Sequence, residues 1–139
     1  MVDNLTSEQR SHTMSRIRST NTKPELAIRR LVHARGLRFR IHQRSLPGCP
    51  DLVFVSARVV VFVDGDFWHG WRLPQWRKKL SPYWAVKIAG NRKRDRRNFR
   101  RLRQDRWCVI RLWEHQIESD PQKCLDRIEQ AVRRAKTVT

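Results

Sequence analysis

The sequence predicts a single α/β domain, a small mixed β-sheet flanked by helices. Two apolar runs, residues 52–55 and 59–63, are crowded with β-branched and aromatic side chains and joined by Ser56-Ala57-Arg58, the pattern of a β-hairpin. Amphipathic helical patterns precede and follow that hairpin, giving the order α, β, β-hairpin, α, β, α. The chain has 139 residues, enough for one core, and contains no repeat and no linker.

Residues 1–21 are polar. A short helix from Ser7 to about Ile17, capped by Thr6 or Ser7, has only Met14 and Ile17 to bury. The segment reads either as an arm that orders on its partner or as a loosely packed helix. We therefore divide the chain into an N-terminal arm, 1–21, and one domain, 22–139. The domain opens with Thr22-Lys23-Pro24-Glu25, a capping-box pattern with Pro in the first turn. Leu26, Ile28, Leu31 and Val32 supply the apolar stripe of this helix, and Gly36 ends it. Glu25 has two readings: a third-position Glu bonds the cap backbone, or it serves a nearby metal.

Phe39 and Ile41 alternate with Arg38, Arg40 and His42, which predicts a strand with one wet face. A turn cluster, Leu46-Pro47-Gly48-Cys49-Pro50-Asp51, feeds the hairpin. A nearly all-apolar hairpin is buried on both faces. With its turn centred on Ala57, Asp51 lies opposite Val63, and Asp51, Asp64, Asp66 and His69 gather at the open end. Residues 71–80, with Trp71, Pro74 and Trp76, show no period and read as loop. Pro82, Tyr83 and Trp84 open a basic helical region that is expected to break near Gly90 and restart at Asn91. Residues 92–106 hold nine Arg or Lys and two acids, with Phe99 and Leu102 as the packing stripe. The run 107–113 is the last strand by composition, with Cys108 expected in the core. Asp120-Pro121 starts a final helix whose buried face is Cys124, Leu125, Ile128, Ala131 and Val132.

Charge narrows the function. Lys and Arg number 31 against 13 acids, a net charge of +18. Such an excess points to a polyanionic partner, because each cation that neutralises a phosphate releases counterions. Nothing indicates a membrane. No apolar run approaches the ~20 residues of a spanning helix, and the N-terminus has no signal-peptide core. A cytoplasmic protein is the expectation. Three scattered cysteines without a CxxC indicate neither a disulfide framework nor a zinc knuckle.

The acidic cluster suggests the chemistry. Pro50-Asp51 at a strand start, followed by acids one strand later, is the sparse signature of the PD-(D/E)xK nucleases. A carboxylate such as Asp51 binds Mg²⁺ together with carbonyl, water and phosphate oxygens, and the ion activates water and offsets phosphodiester charge. The usual lysine is missing: after Asp64-Gly65 its position holds Asp66. His69 is the nearby imidazole, with an ordinary pKa near neutrality that suits a general base or acid. Phe67 and Trp68, large aromatics after a turn glycine, either fill the core or insert between base steps.

At this resolution the chain resembles the very short patch repair endonucleases. The matching pieces are Met14-Ser15, Ile17-Arg18-Ser19, Asn21 to Glu25, Leu46 to Asp51, Phe62-Val63-Asp64-Gly65, Phe67-Trp68-His69, Trp84, Lys87-Ile88, Asn91, Arg94 to Arg97 and Trp113-Glu114. They occur in family order over almost the whole chain. The resemblance implies a restriction-endonuclease-like fold and a Mg²⁺-dependent nick, with one or two ions, 5′ of the thymine in a T·G mismatch in double-stranded DNA. It implies that Asp51 and the Val63 backbone carbonyl hold metal, that Glu25 holds metal-bound water, and that His69 is the general base oriented by Asp95. Asp64 or Asp66 is a further candidate ligand. Phe67, Trp68 and Trp84 become wedges beside the mismatch and Met14 a minor-groove contact, while Lys87, Asn91 and Arg94 become DNA contacts. The expected protein is a monomer at the nucleoid, with mismatch-repair proteins as candidate partners.

The sequence departs from the best-known family pattern at the structural zinc. Its cysteine and histidine positions here read Asp66, Trp71 and Leu73, and His115 replaces the distant cysteine. We therefore expect no zinc, with Trp71, Leu73 and Trp76 packing in its place. Two alternatives stand beside the mismatch nickase: a nuclease of the same fold without T·G preference, and a catalytically silent DNA-binding module.

Overall fold

The structure, a computed structural model, describes residues 21–66, 69–71 and 80–137. The expected N-terminal helix, with Met14, lies outside those residues, as do Phe67, Trp68, Leu73 and Trp76. Among the described residues, no helix is long and apolar enough to cross a membrane.

Four strands form one mixed sheet in the order β1-β2-β3-β4: β1 (Arg40–Ile41), β2 (Leu52–Phe54), β3 (Val59–Asp64) and β4 (Cys108–Trp113). The β1–β2 and β2–β3 pairs are antiparallel, and β3–β4 is parallel. A parallel neighbour requires a crossover, and the described part of it is the helix α2 (Pro82–Gln104). The other helices among the described residues are α1 (Lys23–Ala34), α3 (Glu114–Ser119) and α4 (Pro121–Thr137).

The β2–β3 hairpin is apolar throughout because the sheet is covered on both sides. Leu52, Phe54, Val59 and Val61 pack with Ile28 and Val32 of α1, Ile117 of α3 and Leu125, Ile128 and Val132 of α4. Val53, Val60 and Phe62 face the other way, onto Phe99 and Leu102 of α2. Successive side chains alternate between the two layers, as the pleat requires.

Four local expectations are corrected. The hairpin register pairs Leu52 with Val61 and Phe54 with Val59, one residue off a turn centred on Ala57. Val55 belongs to the turn and is 52% exposed, and Arg58 closes that turn at φ 53°. The helix α2 does not break at Gly90: it runs unbroken for 23 residues, anchored by buried residues on both sides of the glycine, Trp84, Ala85 and Ile88 before it and Phe99 and Leu102 after it. Cys108 is exposed, since it begins an edge strand beyond the helical cover, whereas Cys124 is buried as expected.

Candidate active site

Asp51 is set by the turn that precedes it. Gly48 takes φ +77°, and a Cβ there would lie 3.0 Å from the Phe62 ring and 3.2 Å from the Asn98 side chain. Glycine is the residue that combines this backbone with so close an approach. The Asp51 N–H then donates to the Val61 carbonyl at 2.9 Å, and the Val63 N–H donates to Asp51 Oδ2 at 2.6 Å. The acidic side chain therefore reaches Val63 despite the shifted register.

Among the described residues, two groups of side chains able to hold a metal ion meet around it. The first is Glu25, His42 and Asp51; the second is Asp64, His69 and Asp95. Glu25 is 1% exposed on α1. The Thr22 side chain accepts from the Glu25 N–H at 3.4 Å, as a cap should, but the Glu25 carboxylate is not spent on the cap backbone. Its Oε1 accepts from Arg29 at 2.7 Å and lies 2.5 Å from His42 Nε2. His42 itself holds φ 48°, an uncommon conformation for a side-chain-bearing residue.

In the second group, His69 Nδ1 lies 2.6 Å from Asp95 Oδ2, and its Nε2 is 3.4 Å from Asp64 Oδ1. Arg111 joins both carboxylates: Nε donates to Asp64 Oδ2 and Nη2 to Asp95 Oδ2, each at 2.8 Å. The last residue of β3 supplies Asp64, the α2 face turned to the sheet supplies Asp95, and β4 supplies Arg111.

Electrostatics follow from this crowding. Burial pushes the Asp51 carboxyl up from 3.8 to about 7, against the pull of the Val63 hydrogen bond, and Glu25 and Asp64 add to the rise. Burial likewise raises Asp64, opposed by His69 and Arg111. Burial alone would lower His69, but the Asp95 hydrogen bond and the charges of Asp64 and Asp95 outweigh it, so its pKa is raised above 6.5. Carboxylates that resist ionisation when unpaired are the donor set a hard cation stabilises.

The structure thus brings Glu25, Asp51, Asp64, His69 and Asp95 together, with Val63 alongside. Asp66 is not among them. Its Oδ1 lies 2.8 Å from His115 Nδ1, its N–H donates to Glu114 Oε1 at 3.0 Å, and the Trp71 ring stacks on His115 at 3.8 Å. Asp66, Trp71 and His115 therefore meet as a hydrogen-bonded pair under an aromatic ring. Trp84 is 3% exposed, with Lys87 Nζ 5.3 Å over its ring. Lys87 and Arg94 are exposed on α2, and Arg94 donates to the half-buried Asn91 at 3.3 Å.

Two site residues escaped the sequence reading. His42 was placed on a wet strand face, and the structure sets it beside Asp51 at the start of the neighbouring strand, its N–H donating to the Asp51 carbonyl at 3.3 Å. Arg111 sits in WCVIRLW on the face opposite Ile110 and Leu112. A cation inside an apolar strand was the available signal.

The chain is also similar to known DNA endonucleases. The family profile "DNA mismatch endonuclease Vsr" matches residues 2–75. The type II nicking enzyme V.XorIIP of Xanthomonas oryzae pv. oryzae is 45% identical over 119 residues, covering 84% of this chain and 88% of the relative. V.NmeDIP, a type II nicking enzyme of Neisseria meningitidis serogroup C, is 38% identical over 135 residues, 95% of this chain and 91% of the relative. The DNA mismatch endonuclease Vsr of Escherichia coli K12 is 36% identical over 119 residues, 82% of this chain and 74% of its own length.

Proposed function

Because the chain belongs to the DNA mismatch endonuclease Vsr family and is thereby a DNA endonuclease, we propose that it nicks one strand 5′ of the thymine in a T·G mismatch by Mg²⁺-dependent hydrolysis. The observation that carries the metal-dependent hydrolysis is the position of Asp51, between the Glu25–His42 pair and the Asp64–His69–Asp95 group. Oxygen and imidazole donors fit a hard divalent ion, which Asp51 and the Val63 backbone carbonyl would hold with Glu25 beside them. Bound there, the ion would supply charge neutralisation at the phosphodiester and a more acidic water.

The chain's own residues do the rest. His69 donates Nδ1–H to Asp95, which leaves the Nε2 lone pair as the base that takes the water's proton. Asp64, 3.4 Å from Nε2, stabilises the imidazolium that results. Lys87, Asn91 and Arg94 bind backbone phosphates, positioning the duplex rather than reading it. Phe67, Trp68, Trp84 and Met14 act at the mismatch, as the resemblance implies. On this reading the protein is a monomer at cytoplasmic DNA, with mismatch-repair proteins as partners.

End-labelled duplexes that differ only in one T·G or T·A pair, across a panel of flanking sequences, test the specificity. A nick confined to the T·G strand, with preference lost in Trp68→Ala, supports the reading. Equal cutting of both duplexes would leave a nuclease of the same fold without mismatch preference, and tight binding without cutting a silent DNA-binding module.

A further inference from the structure

We propose that Arg111 is a positioning residue for the reaction, whose guanidinium bridges Asp64 and Asp95 and thereby fixes the orientation and tautomer of His69. The proposal rests on His69 being the base. Both ring nitrogens of His69 face a carboxylate, Asp95 at Nδ1 and Asp64 at Nε2. A neutral ring carries one proton, and only the Nδ1–H form leaves Nε2 free to accept a proton from water. Two competing carboxylates do not by themselves choose that form.

Arg111 breaks the symmetry. Its Nε–H holds Asp64 by Oδ2, so that Oδ1 stays 3.4 Å from Nε2. Its Nη2–H holds Asp95 by the same Oδ2 that meets His69 Nδ1 at 2.6 Å. One ring nitrogen thus has a short partner and the other a long one.

The guanidinium suits this task because its N–H groups point in a rigid planar fork, which an ammonium cannot reproduce. The fork is itself fixed. Arg111 lies opposite Phe62 in the parallel β3–β4 ladder, two residues before the Asp64–Trp113 pair, so its backbone is tied to the strand that carries Asp64. Its guanidinium sits 4.1 Å over the Trp113 ring and 5.1 Å from the Phe99 ring centre. The stacked rings and the ladder set the side chain before any substrate arrives, and the carboxylates follow it.

The test compares Arg111→Met and Arg111→Lys with the parent protein by nicking kinetics and by ¹⁵N NMR of the His69 ring, the latter without DNA or metal at a pH where the ring is neutral. The parent is expected to show Nδ1–H alone, and Arg111→Met a mixture of tautomers. Its kcat is expected to fall about 10–100-fold, the usual cost of losing a group that orients a site residue, with KM for DNA unchanged. Arg111→Lys, which keeps charge and stem, should fall between the two. A single Nδ1–H tautomer in Arg111→Met, whatever its rate, or parent values for both readouts in Arg111→Lys, would overturn the proposal. The tautomer is read without turnover. A shift to a mixture with no loss of rate would therefore sink His69 as the base while leaving the Arg111 contact standing.

Discussion

Asp51→Asn should make the metal-free protein more stable above neutral pH while abolishing its activity. The folded carboxyl titrates at about 7 against an ordinary 3.8. A raised carboxyl pKa means that the folded state holds this proton more tightly than the unfolded chain does. The associated stability is therefore fully present below pH 3.8, is lost as the pH rises from there to about 7, and is absent above. A gap of about 3 units at about 1.4 kcal/mol each gives an upper bound near 4 kcal/mol, and partial solvent access brings the expectation to about 2–4 kcal/mol. Asparagine is nearly the same size, carries no charge, and its Oδ1 still accepts the Val63 N–H. For a chain of this length each kcal/mol moves the melting temperature by about 2–4 °C. Thermal unfolding in EDTA should then show the two proteins together near pH 4 and Asp51→Asn ahead by roughly 5–15 °C at pH 8. Saturating Mg²⁺ should raise the parent protein and leave the variant unmoved. A variant no more stable than the parent at pH 8, or a difference independent of pH, would refute the picture of an uncompensated buried carboxylate awaiting a cation.

Removing the base should separate chemistry from binding: His69→Ala is expected to lower single-turnover nicking by about 10²–10⁴-fold, with duplex affinity by fluorescence anisotropy unchanged. In the parent protein the rate should climb with pH through a value above 6.5, because the raised pKa keeps His69 protonated, and unable to accept a proton, at lower pH. Gly48→Ala combines a strained φ of +77° with a Cβ 3.0 Å from the Phe62 ring, and should cost roughly 1–3 kcal/mol in denaturant unfolding. An unchanged midpoint would mean that the turn relaxes freely.

Much of this architecture was legible because it follows from local periodicity. The β2–β3 hairpin, the capped α1 and the amphipathic α4 each carry a pattern whose burial the structure reproduces. Errors arose where tertiary context decided. The register of the hairpin depends on a turn of four residues with Arg58 at positive φ, which composition does not reveal. Gly90 looked like a helix break because its intrinsic propensity is poor, but buried residues on both sides of it, Ile88 before and Phe99 and Leu102 after, carry the helix through. Asp51, Asp64 and His69 were legible as a cluster around the hairpin, whereas Asp95 entered only through the family resemblance. Arg111 and His42 come from elements distant in the chain, and only the parallel β3–β4 ladder and the β1–β2 pair bring them to the same end.

The central claim is that Asp51 anchors metal-dependent nicking and His69 supplies its base. The most direct measurement is a Mg²⁺ titration of nicking on one T·G duplex, with EDTA as the zero point, run in parallel on the parent protein, Asp51→Asn and His69→Ala with duplex binding recorded for each. The account predicts a saturable Mg²⁺ dependence in the parent, no nicking at any Mg²⁺ concentration in Asp51→Asn, and a residual rate of normal Mg²⁺ dependence in His69→Ala, with all three binding DNA alike. Nicking by Asp51→Asn at the parent rate, or nicking by the parent in EDTA, would contradict it.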